Sequence, residues 1–256
     1  MIHSTAIIDS QAEIGKNVSI GAYSVIGANV VLEDECVIGP HVVINGPTKI
    51  GKETKIYQFA SIGDDPQDKK YAGEDTQLII GERNVIRECC TINRGTIQDG
   101  GITRVGDDNW IMAYVHIAHD CVLGNNIIFA NNTSLAGHVT VGDNAILGGF
   151  TIVHQFCQIG TNCFTGLNTI VTKDIPPFVM ASGNLAKAHG LNTEGLKRRG
   201  YSKERIKAIK DAYKIIYRSK NTVEQAKEKL IPLSQEFDDV KLMLEFLQNV
   251  TRGIIR

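Results

Sequence analysis

An aliphatic residue returns every six positions through most of this chain. From Ile8 the series runs Ile14, Ile20, Ile26, Leu32, Ile38, Ile44, Ile50, Ile56 and Ile62 without a miss. It resumes at Ile80, Ile86 and Ile92. After a one-residue change of phase it continues from Val105 through Ile111, Ile117, Leu123, Phe129, Leu135, Val141, Leu147, Val153 and Ile159 to Val171, with Thr165 as a polar member. Two residues before each stands a mostly small residue, such as Ala12, Val18, Ser24, Cys36 or Thr133. Side chains alternate faces along a strand, so these two positions share a face and the remaining residues turn the chain. One repeat cannot cover its own aliphatic residue, whereas stacked repeats bury a continuous column. The period predicts an all-β solenoid. It does not fix the hand, and the general crossover rule favours the right.

Two stretches interrupt the frame. Between 63 and 79 the frame positions are Asp68 and Glu74, which cannot line an apolar core; "RGTIQDGGIT" (94–103) precedes the change of phase. Both read as loops leaving the coil, near 63–79 and 94–104. After Pro176 and Pro177 the period ends. "SKERIKAIKDAYKIIYRS" has apolar residues at helical spacing behind a Ser202 cap, Thr222 and Gln225 form a capping-box pattern, and "DDVKLMLEFLQNV" reads as a third helix. The expected division is a β-solenoid over 1–186 and a small α-helical domain over 187–256.

Composition narrows the class. No run approaches the ~18 apolar residues of a membrane span, and the first residues lack a basic, then apolar, leader pattern. A cytoplasmic protein without a membrane span is expected. Five of the six cysteines (Cys36, Cys90, Cys121, Cys157 and Cys163) occupy the small inward position, so they read as core rather than as a metal cluster. Residues 187–220 hold eleven Lys or Arg against three acids, a net of +8. That patch is either a solvated helix face or a dock for an acidic or phosphorylated partner. No nucleic-acid reading motif accompanies it.

The hexapeptides, with "KDIPPFVMASGNLA" at 173–186, resemble the left-handed parallel β-helix of acyltransferases, whose triangular coil takes three hexapeptides. On such a coil residues eighteen apart stack about 4.8 Å apart. Asp120 then lies against His138, His119 against Gly137, and Gln155 one coil further with His154 beside it. His116 sits at the base of the patch. All four histidines fall off the inward frame. Imidazole beside a carboxylate suits a general base near neutral pH, and the same ring can ligate zinc.

"YQFASIG", "QDKKYAGE", "NRGT", "HIAHDC", "LAGHV", "VHQFCQIG" and "NTEGLKRRG", in that order, resemble the UDP-N-acetylglucosamine O-acyltransferases that open lipid A biosynthesis. The resemblance implies transfer of an (R)-3-hydroxyacyl group from acyl carrier protein to the glucosamine 3-hydroxyl of UDP-N-acetylglucosamine. It implies His119 as general base, Asp120 as its orienting partner and the Gly137 N–H as oxyanion donor. It also implies contacts to substrate from Asp68, Lys70, His116, His138, His154, Gln155, Asn192, Glu194, Arg198 and Arg199. It implies no metal or cofactor, a homotrimer with sites between subunits, and acyl carrier protein on the basic helices. Leu167 stands where long-chain members carry Gly, which implies a shorter acyl chain. Three other readings compete. A γ-class carbonic anhydrase shares the fold and uses histidine-bound zinc. The glucosamine N-acyltransferases add an N-terminal domain for which hexapeptides starting by residue 8 leave no room. A non-catalytic solenoid would tolerate loss of His119.

Overall fold

A computed structural model describes all residues 1–256. Short parallel strands pair with strands one coil away: Ile7 and Ile8 face Val25 and Ile26, and His116 and Ile117 face Ser134 and Leu135. They form three sheets of nine, eight and ten strands, the three faces of a prism. The frame residues fill its interior. From Ile20 to Val171 they are 4% exposed or less, and the five inward cysteines are fully buried. Thr165 is tolerated there because its hydroxyl meets Thr151 Oγ1 at 2.8 Å and accepts the Gly148 N–H at 3.0 Å. A buried hydroxyl with both bonds made costs little.

Each corner contains a residue in the left-handed region, including Asp120 (φ 59°), His138 (φ 62°) and Phe156 (φ 64°) on one edge. Asn144 marks the second edge and Asn168 the third. Side chains from successive coils therefore stack in columns along each edge.

The helical part begins later than expected. Lys187–Leu191 is a strand, antiparallel to Val179–Ser182, and it covers what would otherwise be an open sheet edge. Thr193–Arg198 (α1) follows, then Lys203–Tyr217 (α2), Val223–Glu236 (α3) and Asp238–Gln248 (α4). Ser202 Oγ caps α2, and both capping-box bonds form at the start of α3. Apolar faces of these helices enclose a second core with Phe178 and Leu196. The C-terminal tail returns to the prism, where the Ile255 N–H donates to Asp174 O at 3.0 Å. No helix is long and apolar enough to cross a membrane.

Candidate active site

The edge carrying Asp120 and His138 opens on a cleft of about 800 Å³. Its floor is His119, His138, Gln155 and Phe156; Asp68 and Lys70 enter from one inserted loop, Thr96 and Asp99 from the other. Phe156 is the one apolar residue of its lining, so the cleft suits a polar ligand.

His119 and Asp120 are adjacent in sequence, yet their side chains meet because the left-handed backbone at Asp120 turns its carboxylate back. His119 Nδ1 lies 2.8 Å from Asp120 Oδ2. Asp120 also accepts from the Thr96 N–H (2.7 Å) and the Thr96 hydroxyl (2.6 Å). Burial by itself raises a carboxyl pKa. Here the bonds from His119 and Thr96, with the charge of His138, outweigh it and hold Asp120 below its ordinary value. Asp120 is thus an anion and can only accept, so in the neutral ring the proton of His119 sits on Nδ1. Nε2 is left with a free lone pair on the cleft side.

His138 stacks on Phe156 with ring centres 4.4 Å apart and meets His119 edge-on at 5.2 Å. Its N–H donates to His119 O at 3.0 Å and the Phe156 N–H to Gly137 O at 3.1 Å, while the Gly137 N–H has no partner in the chain. The rings of His119 and His138 are only 13% exposed, although both project outward from the prism. The inserted loops cover them. Arg94 holds those loops together: it donates to Gly63 O at 2.6 Å and to Tyr71 Oη at 3.2 Å, and it pairs with Asp65.

His119, Asp120, Gly137, His138, Gln155, Asp68 and Lys70 thus come together as the stacking and the resemblance anticipate. Two histidines do not join them. His116 is half-buried on a flat face and shares a 2.7 Å hydrogen bond with Thr91; burial, then the charge of His119, lowers its pKa. His154 is exposed and turns its Nδ1 to the carbonyl of Gln155 (3.1 Å).

The remaining candidates occupy other edges. Asn192 is the N-cap of α1, accepting from the Gly195 N–H and donating to Asn162 O at 3.1 Å. Glu194 pairs with Lys197, and Arg199 donates to Asn144 Oδ1 at 2.6 Å on the second edge. Leu167, 73% exposed, lies on the third edge. Thr96, Asp99 and Arg94 bond to this cluster and its loops, and no spacing in the sequence marks them. "NRGT" contained two of them, but only the folded loop reveals what they touch.

His119, Asp120 and His138 also place ligand-capable atoms within 4.8 Å of one another, as a metal site would. Asp120 Oδ2 is, however, already engaged by His119 and Thr96.

Residues 174–255 match the family described as UDP N-acetylglucosamine O-acyltransferase, domain 2, and residues 102–137 match the bacterial transferase hexapeptide repeat. The acyl-[acyl-carrier-protein]–UDP-N-acetylglucosamine O-acyltransferase of Thiobacillus denitrificans is 60% identical across 100% of this chain and 99% of its own. That of Herminiimonas arsenicoxydans is 57% identical with the same coverage. Among solved structures, the Moraxella catarrhalis UDP-N-acetylglucosamine O-acyltransferase has a TM-score of 0.98 at 48% identity, covering 100% of this chain and 99% of that one. The Francisella novicida UDP-N-acetylglucosamine acyltransferase also has a TM-score of 0.98, at 42% identity, covering 100% and 94%. Agreement that close extends to the left hand of the coil, which the period of the sequence had left open. With full-length relatives on both counts, the chain belongs to the UDP-N-acetylglucosamine O-acyltransferase family.

Proposed function

We propose that the protein transfers an (R)-3-hydroxyacyl group from acyl carrier protein to the glucosamine 3-hydroxyl of UDP-N-acetylglucosamine, the first step of lipid A biosynthesis. The acyl-carrier-protein-dependent O-acyltransferase activity is that of relatives at 50–60% identity over the whole chain. The observation that carries the mechanism is the His119–Asp120 pair. With Nδ1–H bound to an anionic carboxylate, Nε2 accepts the proton of the sugar hydroxyl. The oxygen attacks the thioester carbon, and the unpartnered Gly137 N–H donates to the developing oxyanion. Collapse of that intermediate breaks the C–S bond, and the departing thiolate takes the proton from His119. Each proton is returned, so the reading assigns no metal and no cofactor beyond the donor's own carrier arm.

His138, Gln155, Asp68 and Lys70 supply the polar cleft for the nucleotide sugar. His116 and His154 shape its surroundings. Arg198 and Arg199 suit the diphosphate through their planar donor forks, and Glu194 stands beside them. Asn192 supports them by capping α1. These residues lie on a different edge from His119, and serving the same substrate would take two chains, which fits a homotrimer with clefts between neighbours. The cationic face of 187–220 fits acidic acyl carrier protein. We assign the protein to the cytoplasm, where carrier protein and sugar nucleotide are both present. Carbonic-anhydrase-like zinc chemistry is not favoured, since full-length relatives are acyltransferases. Replacing His119 by Ala tests the reading: acyl transfer should fall by at least about 10³-fold with folding unchanged. Retained turnover would overturn it.

A further inference from the structure

We propose that Asp99 is a positioning residue for His138, so that the cleft holds two carboxylate–imidazole pairs, Asp120–His119 and Asp99–His138. This rests on the acyl-transfer reading above and adds a residue that the reading does not use. Asp99 Oδ2 lies 2.9 Å from His138 Nδ1. Stacking on Phe156, with 14° between the rings, fixes the plane of the imidazole. It does not fix which edge faces inward. A half-turn about the Cβ–Cγ bond keeps the plane and exchanges nitrogen for carbon at each edge. Asp99 is the partner that distinguishes the two orientations. With Nδ1 donating to Asp99, Nε2 is held on the inner side, 3.7 Å from Asp120 Oδ2, where it can meet a ligand oxygen.

Asp99 is itself placed. It ends the 3-10 turn Ile97–Asp99, whose N-cap is Thr96, and both Thr96 donors are fixed on the buried Asp120. Gly100 (φ 80°) and Gly101 (φ 77°) then turn the chain out of the loop, a backbone that side-chain-bearing residues rarely adopt. One inserted loop thus braces both histidines, through Thr96 for His119 and through Asp99 for His138.

The test uses the full-length enzyme and its D99A, D99N, H138A and D99A/H138A variants, with UDP-N-acetylglucosamine varied at saturating acyl carrier protein thioester. Asp99 is well exposed, so the expected effect is modest: D99A raises KM about fivefold with little change in kcat. D99N keeps an acceptor oxygen and recovers most of the loss. D99A adds nothing in the H138A background, because the residue acts through that ring. Effects that multiply in the double variant would overturn the assignment. So would a D99A enzyme with an unchanged KM, or a lowered one, which would mean the carboxylate merely repels the diphosphate. An active H119A enzyme would instead sink the underlying reading, whereas a silent D99A beside an inactive H119A sinks this assignment alone.

Discussion

A Cβ atom placed on Gly137 would lie 2.5 Å from Cε1 and 2.8 Å from Nε2 of the His119 ring. Real Cβ contacts do not come so close, so the ring can occupy this place only because residue 137 has no side chain. The backbone there is tied to the coils on both sides, through His138 N–H to His119 O and Phe156 N–H to Gly137 O. The ring is what yields. Gly137→Ala should therefore keep the fold and displace the imidazole, lowering kcat by about 10²-fold. Steady-state kinetics beside a thermal melt checks this; normal kcat in a folded variant would show that the ring position is not critical.

Thr96→Val removes the hydroxyl bond to Asp120 and leaves the backbone one. Losing a hydrogen bond to a buried carboxylate costs about 2 kcal/mol. The pH dependence follows from the sign of the shift. A carboxyl held below its ordinary 3.8 contributes stability that is present above that value and lost as pH falls through the folded pKa. With one bond gone, burial weighs more and the folded pKa rises. Acid unfolding of Thr96→Val should begin at higher pH than that of the wild type. Superimposable acid titrations followed by circular dichroism would count against this account of Asp120.

Leu167 projects from the third edge, and its Cδ1 would be 3.3 Å from a Cβ placed on Gly149. If it closes the end of the acyl groove, Leu167→Gly lengthens the groove. The ratio of kcat/KM for long over short 3-hydroxyacyl carrier proteins should then rise by at least about tenfold, the worth of one or two buried methylenes. A wild-type preference for a fourteen-carbon chain would remove the basis for this role.

His119 and Arg199 lie on different edges of one chain, so the proposal that they serve one site between subunits is open to complementation. H119A and R199A should each be inactive alone. After co-refolding in equal amounts, random assortment leaves about a quarter of the sites with both residues intact, and a similar share of activity should return. Absence of any recovery in mixed trimers would place the two residues in separate sites.

Much of the molecule is legible in the chain because the solenoid is nearly one-dimensional. A period of six fixes which residues point inward, and a coil of constant length turns sequence separation into neighbourhood. With the eighteen-residue coil that the resemblance implies, the spacing of His119, Gly137 and Gln155 puts them together, and the inward frame reads five cysteines as core. The short α1 was not legible. Its cap, Asn192, owes its position to Asn162, thirty residues back in the chain. Nor is the strand Lys187–Leu191 legible, because its pairing with Val179–Ser182 depends on an edge that only the assembled sheet presents.

The sequence by itself determined the column: aliphatic residues at a spacing of six leave water by stacking coil on coil, while the hand of that coil is not written in the period. The tertiary structure decided the site's chemistry. Thr96 and Asp99 sit on a loop that breaks the period, so no spacing rule connects them with Asp120 and His138. Their bonds form only once that loop has folded back over the edge, where Thr96 holds the carboxylate that meets His119 and Asp99 meets Nδ1 of His138.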